Sequence, residues 1–340
     1  MKTACLAALL CLALPAYAAA PCDEFARRLP NVSQALCEAA ALQPGAGRSV
    51  QGRPLWWRDV LPLPLAEAPG QLGNALSLPA ASAAFKVLVV GAIHGDELSS
   101  AALAFHWIGQ ASQAQGQVQT QAQALQGAAL PTASALPTTT LPMNRVHWRF
   151  VPALNPDGLL ARPPKRVNAR GVDLNRNFPT RNWAQDARHY WEKRTRKDPR
   201  RWPGNAPLSE PESAFLHAQI ASFKPNLIVS IHAPYGVLDF DGPVGDKLVP
   251  PARLGRLYLD QVGIFPGSLG NYGGLHQGVP VVTVELPNAT RTPLNAEMRQ
   301  MWQDLLRWMS ERLLTPSANP ANGPLSAPGV AAPANALPLP

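Results

Sequence analysis

The sequence contains no HExxH motif, no internal repeat and, beyond its first residues, no unbroken apolar run near the ~18 that a membrane-spanning helix requires. The first absence excludes the helical zincin arrangement, the second a solenoid, and the third stable membrane insertion of the mature chain. Cysteine is scarce, at four residues, and two of these (Cys5 and Cys11) lie within the first twenty residues. Acidic residues are also short: 22 against 30 lysines and arginines, for a net charge of +8. Much of the excess sits in one stretch, Arg188 to Trp202 (RHYWEKRTRKDPRRW). In an exported protein such a run reads as a solvated loop or a surface drawn to anionic wall polymer, and not as a nucleic-acid site.

What is present begins with a leader. MKTACLAALLCLALPAYAAA combines Lys2, an apolar run from Ala4 to Leu14 and the small-residue pattern Ala16-Tyr17-Ala18, which reads as a secretory signal over residues 1–20. Export to the periplasm or beyond puts Cys22 and Cys37 in an oxidising compartment, so the sequence predicts that they form a disulfide within an N-terminal segment, 21–44. Two later segments have compositions unlike a packed core. Residues 109–142 are dominated by Gln, Ala, Thr and Pro and are expected to extend a helix before becoming a loose insert, and 315–340 read as a disordered Pro/Ala-rich tail.

Between them, aliphatic runs alternate with helical patterns. FKVLVV (85–90), WRFVPAL (148–154), LIVSI (227–231) and VPVVTVEL (279–286) read as strands buried on both faces, with helices at 98–108, 210–223 and 293–314. The middle helix opens Ser209-Glu210-Pro211-Glu212, a capping-box signature with proline near the first turn. Alternation of this kind predicts an α/β fold, a mixed, mostly parallel, twisted sheet with helices on both faces, in one domain over 45–314. Ligands of such sheets bind at the carboxyl ends of the strands. His94 and Glu97 (in HGDE) lie just past the first strand, His232 ends the third and Glu285 lies near the end of the fourth.

HGDE alone reads more readily as a polar turn or helix start than as part of a metal site. Its company favours metal: zinc in hydrolytic sites takes three protein ligands, two histidines and a glutamate being a known set. The other five histidines fall in helices (His106, His217), at a strand start (His147) or in loops (His189, His276) and read as structural. For NPDG (155–158), a turn after a strand is the better reading than a chemical role.

The ordered set HGDE, NPDG, GVDLNRNFP (171–179), SIH (230–232) and TVELP (283–287) resembles the zinc metallocarboxypeptidases of the carboxypeptidase A type, and within them the short bacterial branch of murein peptide amidase A. The resemblance covers roughly 45–314. It implies one zinc ion per chain held by His94, Glu97 and His232, with Glu285 as general base. It further implies that Asn175 and Arg176 hold the substrate's terminal carboxylate, that Arg166, with Arg162 and Arg170 close by, polarises the scissile carbonyl, and that Asp173 orients His94.

The sequence departs from the digestive enzymes at Asp96, where they carry a substrate-contacting arginine, so the subsite there is expected to attract cations. Their mobile substrate-covering tyrosine has no fixed counterpart. Tyr272, between glycines in GSLGNYGG, is one candidate, and a packed loop aromatic is the competing reading. The expected activity is cleavage of an amide next to a C-terminal residue, most specifically the γ-D-glutamyl-meso-diaminopimelate bond of murein peptides. The alternative is a general metallocarboxypeptidase.

Overall fold

The computed structural model describes residues 21–62, 84–126, 146–243 and 248–314. The leader, the tail and the later part of the Gln/Ala insert lie outside the described residues. The N-terminal segment forms α1 (Cys22–Arg28) and α2 (Gln34–Ala39), joined by the expected Cys22–Cys37 disulfide. It docks through Phe25, whose ring lies 5.5 Å from that of Phe105, and through Arg28, which donates to the carbonyls of Leu159 and Ala161.

A seven-stranded sheet follows, with spatial order β1-β2-β4-β3-β5-β9-β6. Its members are β1 (Gln43–Arg48), β2 (Pro54–Val60), β3 (Phe85–Val90), β4 (Val146–Val151), β5 (Leu227–His232), β6 (Leu238–Asp241) and β9 (Val281–Glu285). The short pair β7 (Arg253–Leu254) and β8 (Leu257–Tyr258) stands apart. The four inner strands β4, β3, β5 and β9 run parallel, while β1, β2 and β6 add antiparallel edges.

Alternation along β3 explains the two-sided burial. Val87 and Val89 enter one apolar layer, whereas Leu88 and Val90 enter the other. The first layer is closed by α3 (Leu98–Gln126) and α7 (Asn295–Met309), with Trp107, Trp148 and Trp302 packed ring against ring. The second is closed by Phe215, Leu216, Ile220 and Phe223 of α6 (Pro211–Phe223), together with Phe178 from a loop and Tyr272 from the helical turn Asn271–His276. Two short helices, α4 (Pro156–Leu160) and α5 (Trp183–His189), complete the set. The chain steps from β3 to β4 on one side and returns to β5 on the other, which opens a crevice at the carboxyl ends of β3 and β5.

Some local expectations differ from what forms. The strand expected at 148–154 forms instead at Val146–Val151, whereas α3 does run on to Gln126, into the start of the Gln/Ala segment. Proline does open α6, but no side chain caps it. Ser209 Oγ instead donates to its neighbour Glu210 (2.8 Å), and Glu212 turns to the backbone N–H of Val50 and the amide of Asn168. A capping box therefore does not form, because tertiary partners offer both side chains better bonds than the helix end does.

Candidate metal centre and cleft

Three strand ends build the site. After β3 the chain turns through Gly91 and Ala92, the latter at φ +44°, and delivers His94 and Glu97 just before α3 begins. A Cβ on Gly95 would collide with the backbone of Gly158 and Leu159, so only glycine lets this turn sit against α4. His232 closes β5, and Glu285 closes β9 directly beside it in the parallel register.

His94, Glu97 and His232 are all nearly fully buried, with ligand atoms within 4.8 Å of one another. Nδ1 of His94 lies 2.7 Å from Glu97 Oε1, Nδ1 of His232 lies 3.1 Å from Oε2, and the two Nδ1 atoms are 3.3 Å apart. The far nitrogens are engaged elsewhere. Nε2 of His94 faces the accepting carboxylate oxygen Asp173 Oδ1 (3.1 Å), and Nε2 of His232 lies 2.9 Å from Ser230 Oγ. With both Nε2 atoms protonated, both Nδ1 lone pairs are aimed at one point beside a carboxylate, the donor set and orientation that a zinc ion takes. Burial opposes ionisation of Glu97, yet the His94 and His232 imidazoles hold it far below the usual carboxylate range.

Asp173 ties the neighbouring groups together. It caps the 3₁₀ turn Leu174–Arg176 by accepting from the Asn175 N–H (3.0 Å), and its Oδ2 accepts from Nε and Nη2 of Arg166 (3.1 and 3.0 Å). Buried among these donors, Asp173 stays ionised well below its ordinary range, with Arg166 and His94 overcoming the cost of burial. Arg166 also approaches Glu97 Oε1 at 3.6 Å and lines the cleft. Of its two competitors, Arg170 turns away to Glu210 and the Ser209 carbonyl, and Arg162 is exposed.

A cavity of about 600 Å³ opens over this cluster. Arg176 enters it only 3% exposed, stacked on Phe265 at 4.4 Å, with Nη1 donating to the Asn175 carbonyl and Nε lacking any partner. Burial lowers its pKa, so an anion brought to it regains energy that desolvation removed. Asn175 lines the same wall, its Oδ1 held by the Leu269 N–H at 2.8 Å. Glu285 has one buried carboxylate oxygen without a partner, and burial raises its pKa above the ordinary value.

Two expected contacts are modified. Asp96 lines the cleft but is bonded to Arg200 at 2.8 Å, so its charge is already met by the basic stretch. Tyr272 is 4% exposed, stacked between Phe178 and His217, and does not line the cleft. The packed-aromatic reading describes it, because its flanking glycines serve close approach to β6 and β9 and not motion. The tyrosine that does face the cleft is Tyr235, 60% exposed three residues after His232. NPDG is scaffolding: Asn155 caps α4 and holds the Arg166 carbonyl (3.1 Å), and Asp157 anchors Ser49 and Gln51 after β1.

Residues that sequence reasoning missed are Tyr235, Ser230, Asp239 and Asp241, all on the cleft wall. Alternation from His232 could have found Ser230. The short alternation Leu238-Asp239-Phe240-Asp241 was the one local trace of β6.

Residues 43–240 match the family model for zinc carboxypeptidase. Murein peptide amidase A of Escherichia coli K12 is 28% identical over 295 residues, which cover 84% of this chain and all of that protein. The Vibrio campbellii protein of the same description is 32% identical over 166 residues, 47% of this chain and 62% of its own length. Among solved structures, bovine thrombin-activatable fibrinolysis inhibitor shares the fold at a TM-score of 0.50 and 15% identity, over 82% of this chain and 92% of that one.

Proposed function

The chain belongs to the zinc carboxypeptidase family, a family of metallopeptidase hydrolases, and from that premise we propose that it cleaves the amide before the C-terminal residue of murein-derived peptides. The observation that carries the proposal is the convergence of His94, Glu97, His232, Arg176 and Glu285 on one cleft. Full-length similarity to murein peptide amidase A supports the substrate class, with γ-D-glutamyl-meso-diaminopimelate as the bond cut. A leader-like first segment agrees with action in the periplasm, where such peptides arise.

In this reading His94, Glu97 and His232 would hold a zinc ion, which would supply a Lewis acid able to bring the pKa of water to about 7. Arg176, with its free Nε, and Asn175 take the terminal carboxylate, fixing the scissile bond over the strand ends. Arg166, held by Asp173, donates to the carbonyl oxygen as negative charge develops there. Glu285 takes a proton from the attacking water on its unpartnered oxygen and returns it to the leaving amine. Asp173 touches no substrate; it keeps the His94 tautomer and the Arg166 fork in place.

Incubation of the zinc-loaded protein with L-Ala-γ-D-Glu-meso-diaminopimelate, followed by mass spectrometry, tests this. Release of diaminopimelate is expected. An intact tripeptide alongside efficient trimming of ordinary peptides would replace the murein reading with that of a general metallocarboxypeptidase.

A further inference from the structure

Charged groups follow one another in a fixed order along one wall of the cleft. Asp173, which caps the turn carrying Arg176, also holds Arg166 at 3.0 Å. Arg166 approaches Glu97 at 3.6 Å, and Asp96, next to Glu97 in the chain, is bonded to Nη2 of Arg200 at 2.8 Å. Arg176, Arg166, Asp96 and Arg200 all line the cleft. A peptide whose terminal carboxylate rests on Arg176 and whose scissile carbonyl meets Arg166 therefore brings the residue before that bond to Asp96 and Arg200.

Arg200 is a built part of this wall. The short turn Pro199–Arg201 starts from Asp198, whose carboxylate accepts from the Arg200 N–H (2.9 Å) and whose carbonyl accepts from Trp191 Nε1 (2.8 Å). Trp191 packs edge-on against Trp202 at 4.4 Å, and the Trp202 carbonyl accepts from the Asp173 N–H (2.7 Å). Asp173 thus fixes the backbone just after the arginine pair as well as the Arg166 fork. Among the described residues only Nη2 of the Arg200 guanidinium meets an acceptor, which leaves Nε and Nη1 to donate to a ligand. Arg201 beside it adds a second positive charge, with Asp198 no closer than 4.0 Å. The subsite expected at Asp96 to attract cations is in this structure one that suits an anion.

The bond assigned to this cleft carries an anion at that position. A γ-linked glutamyl residue is joined through its side-chain carbonyl, so its α-carboxylate stays free and ionised, whereas an α-linked residue spends that carboxyl group in the peptide bond. We propose that Arg200 binds the free α-carboxylate of the γ-linked residue on the amino side of the scissile bond, and that it thereby selects γ-glutamyl over ordinary linkages. The inference rests on the murein reading and deepens it. The cleft then reads two carboxylates, one on each side of the bond cut, through Arg176 and Arg200.

The test uses two tripeptides, L-Ala-γ-D-Glu-meso-diaminopimelate and its analogue in which the glutamyl α-carboxylate is a carboxamide. The zinc-loaded wild type is expected to favour the carboxylate about tenfold in kcat/KM, the low end for a hydrogen bond between charged groups because Arg200 is exposed. Removing Arg200 alone also uncovers the charge of Asp96, so its loss is read in an Asp96→Asn background. Asp96→Asn should keep the preference, and Asp96→Asn combined with Arg200→Gln should bring the ratio within about twofold of unity. Equal turnover of the two tripeptides by wild type, or a preference that survives in the double variant, overturns the proposal while the murein reading stands. If neither tripeptide is cut while ordinary peptides are trimmed, the murein reading falls, and calorimetric binding of both tripeptides to the Glu285→Gln protein decides the subsite. A carboxylate preference that Arg200→Gln removes in the Asp96→Asn background keeps it, and any other pattern overturns it.

Discussion

At the scale of single residues, the cleft is defined by polar atoms that the fold buries and leaves without partners: Nε of Arg176 and an oxygen of Glu285. Each costs stability in the empty protein and recovers it with the right ligand. Arg176→Lys keeps the charge but loses the planar fork, and kcat/KM for a peptide with a free C-terminus is expected to fall about a hundredfold. The same peptide amidated at its C-terminus should respond little, and equal losses on both would place Arg176 elsewhere. Asp241 gives a pH signature. Its folded pKa of about 7 stands above the ordinary 3.8, so the folded state binds the proton more tightly, and stability is present at low pH and lost as pH rises through about 7. The loss is at most about 4 kcal/mol. The melting temperature of Asp241→Asn should therefore exceed that of wild type by a margin that grows from pH 5 to pH 8, and a constant margin would contradict this. Legibility in the sequence was uneven at this scale. His94, Glu97, His232 and Glu285 were visible because each ends or closely follows a recognisable apolar strand. Tyr272 attracted notice through its glycines, but those serve packing, and Tyr235 carried no pattern of its own.

At the scale of elements, β3, β5 and β9 were legible because strands buried on both faces are near-continuous aliphatic runs. β1, with the sequence QPGAGR, carries no such signal. It forms because β2 supplies its ladder and Phe215 of α6 fills the space over Gly45 and Gly47. β6 was hidden for a related reason: its acids face the cleft while Leu238 and Phe240 face the core, and its partner β9 lies forty residues away. Long-range pairing of this kind leaves little local trace. The α1–α2 hairpin makes its own prediction. Replacing Cys22 and Cys37 with serine should cost about 3 kcal/mol through the freed fifteen-residue loop. Turnover at 25 °C should be retained, since α1 and α2 contribute nothing to the cleft. A variant equally stable to urea would contradict the first expectation, and lost turnover in folded protein the second.

At the scale of the whole molecule, a two-sided apolar core holds one sheet edge rigid, and that edge carries chemistry drawn from residues 94 to 285. Metal binding and global stability should therefore be linked. Zinc at a thousandfold excess over its Kd adds about 4 kcal/mol to the folded state, so 1,10-phenanthroline should lower the melting temperature as well as abolish activity, and added zinc should restore both. A chelator that stops turnover while leaving the melting temperature unchanged would break that link. Arg200 and Arg201 bring the basic stretch to the lining of the cleft, which Asn175 and Arg176 share. The central claim is that His94, Glu97 and His232 hold a hydrolytic zinc whose partner base is Glu285. The most direct measurement is zinc bound per chain in Glu285→Gln and in His232→Ala, taken on the samples used for tripeptide turnover. About one zinc with no turnover is predicted for the first and almost none for the second, as a three-ligand site requires. Zinc retained by His232→Ala but lost from Glu285→Gln would contradict the account.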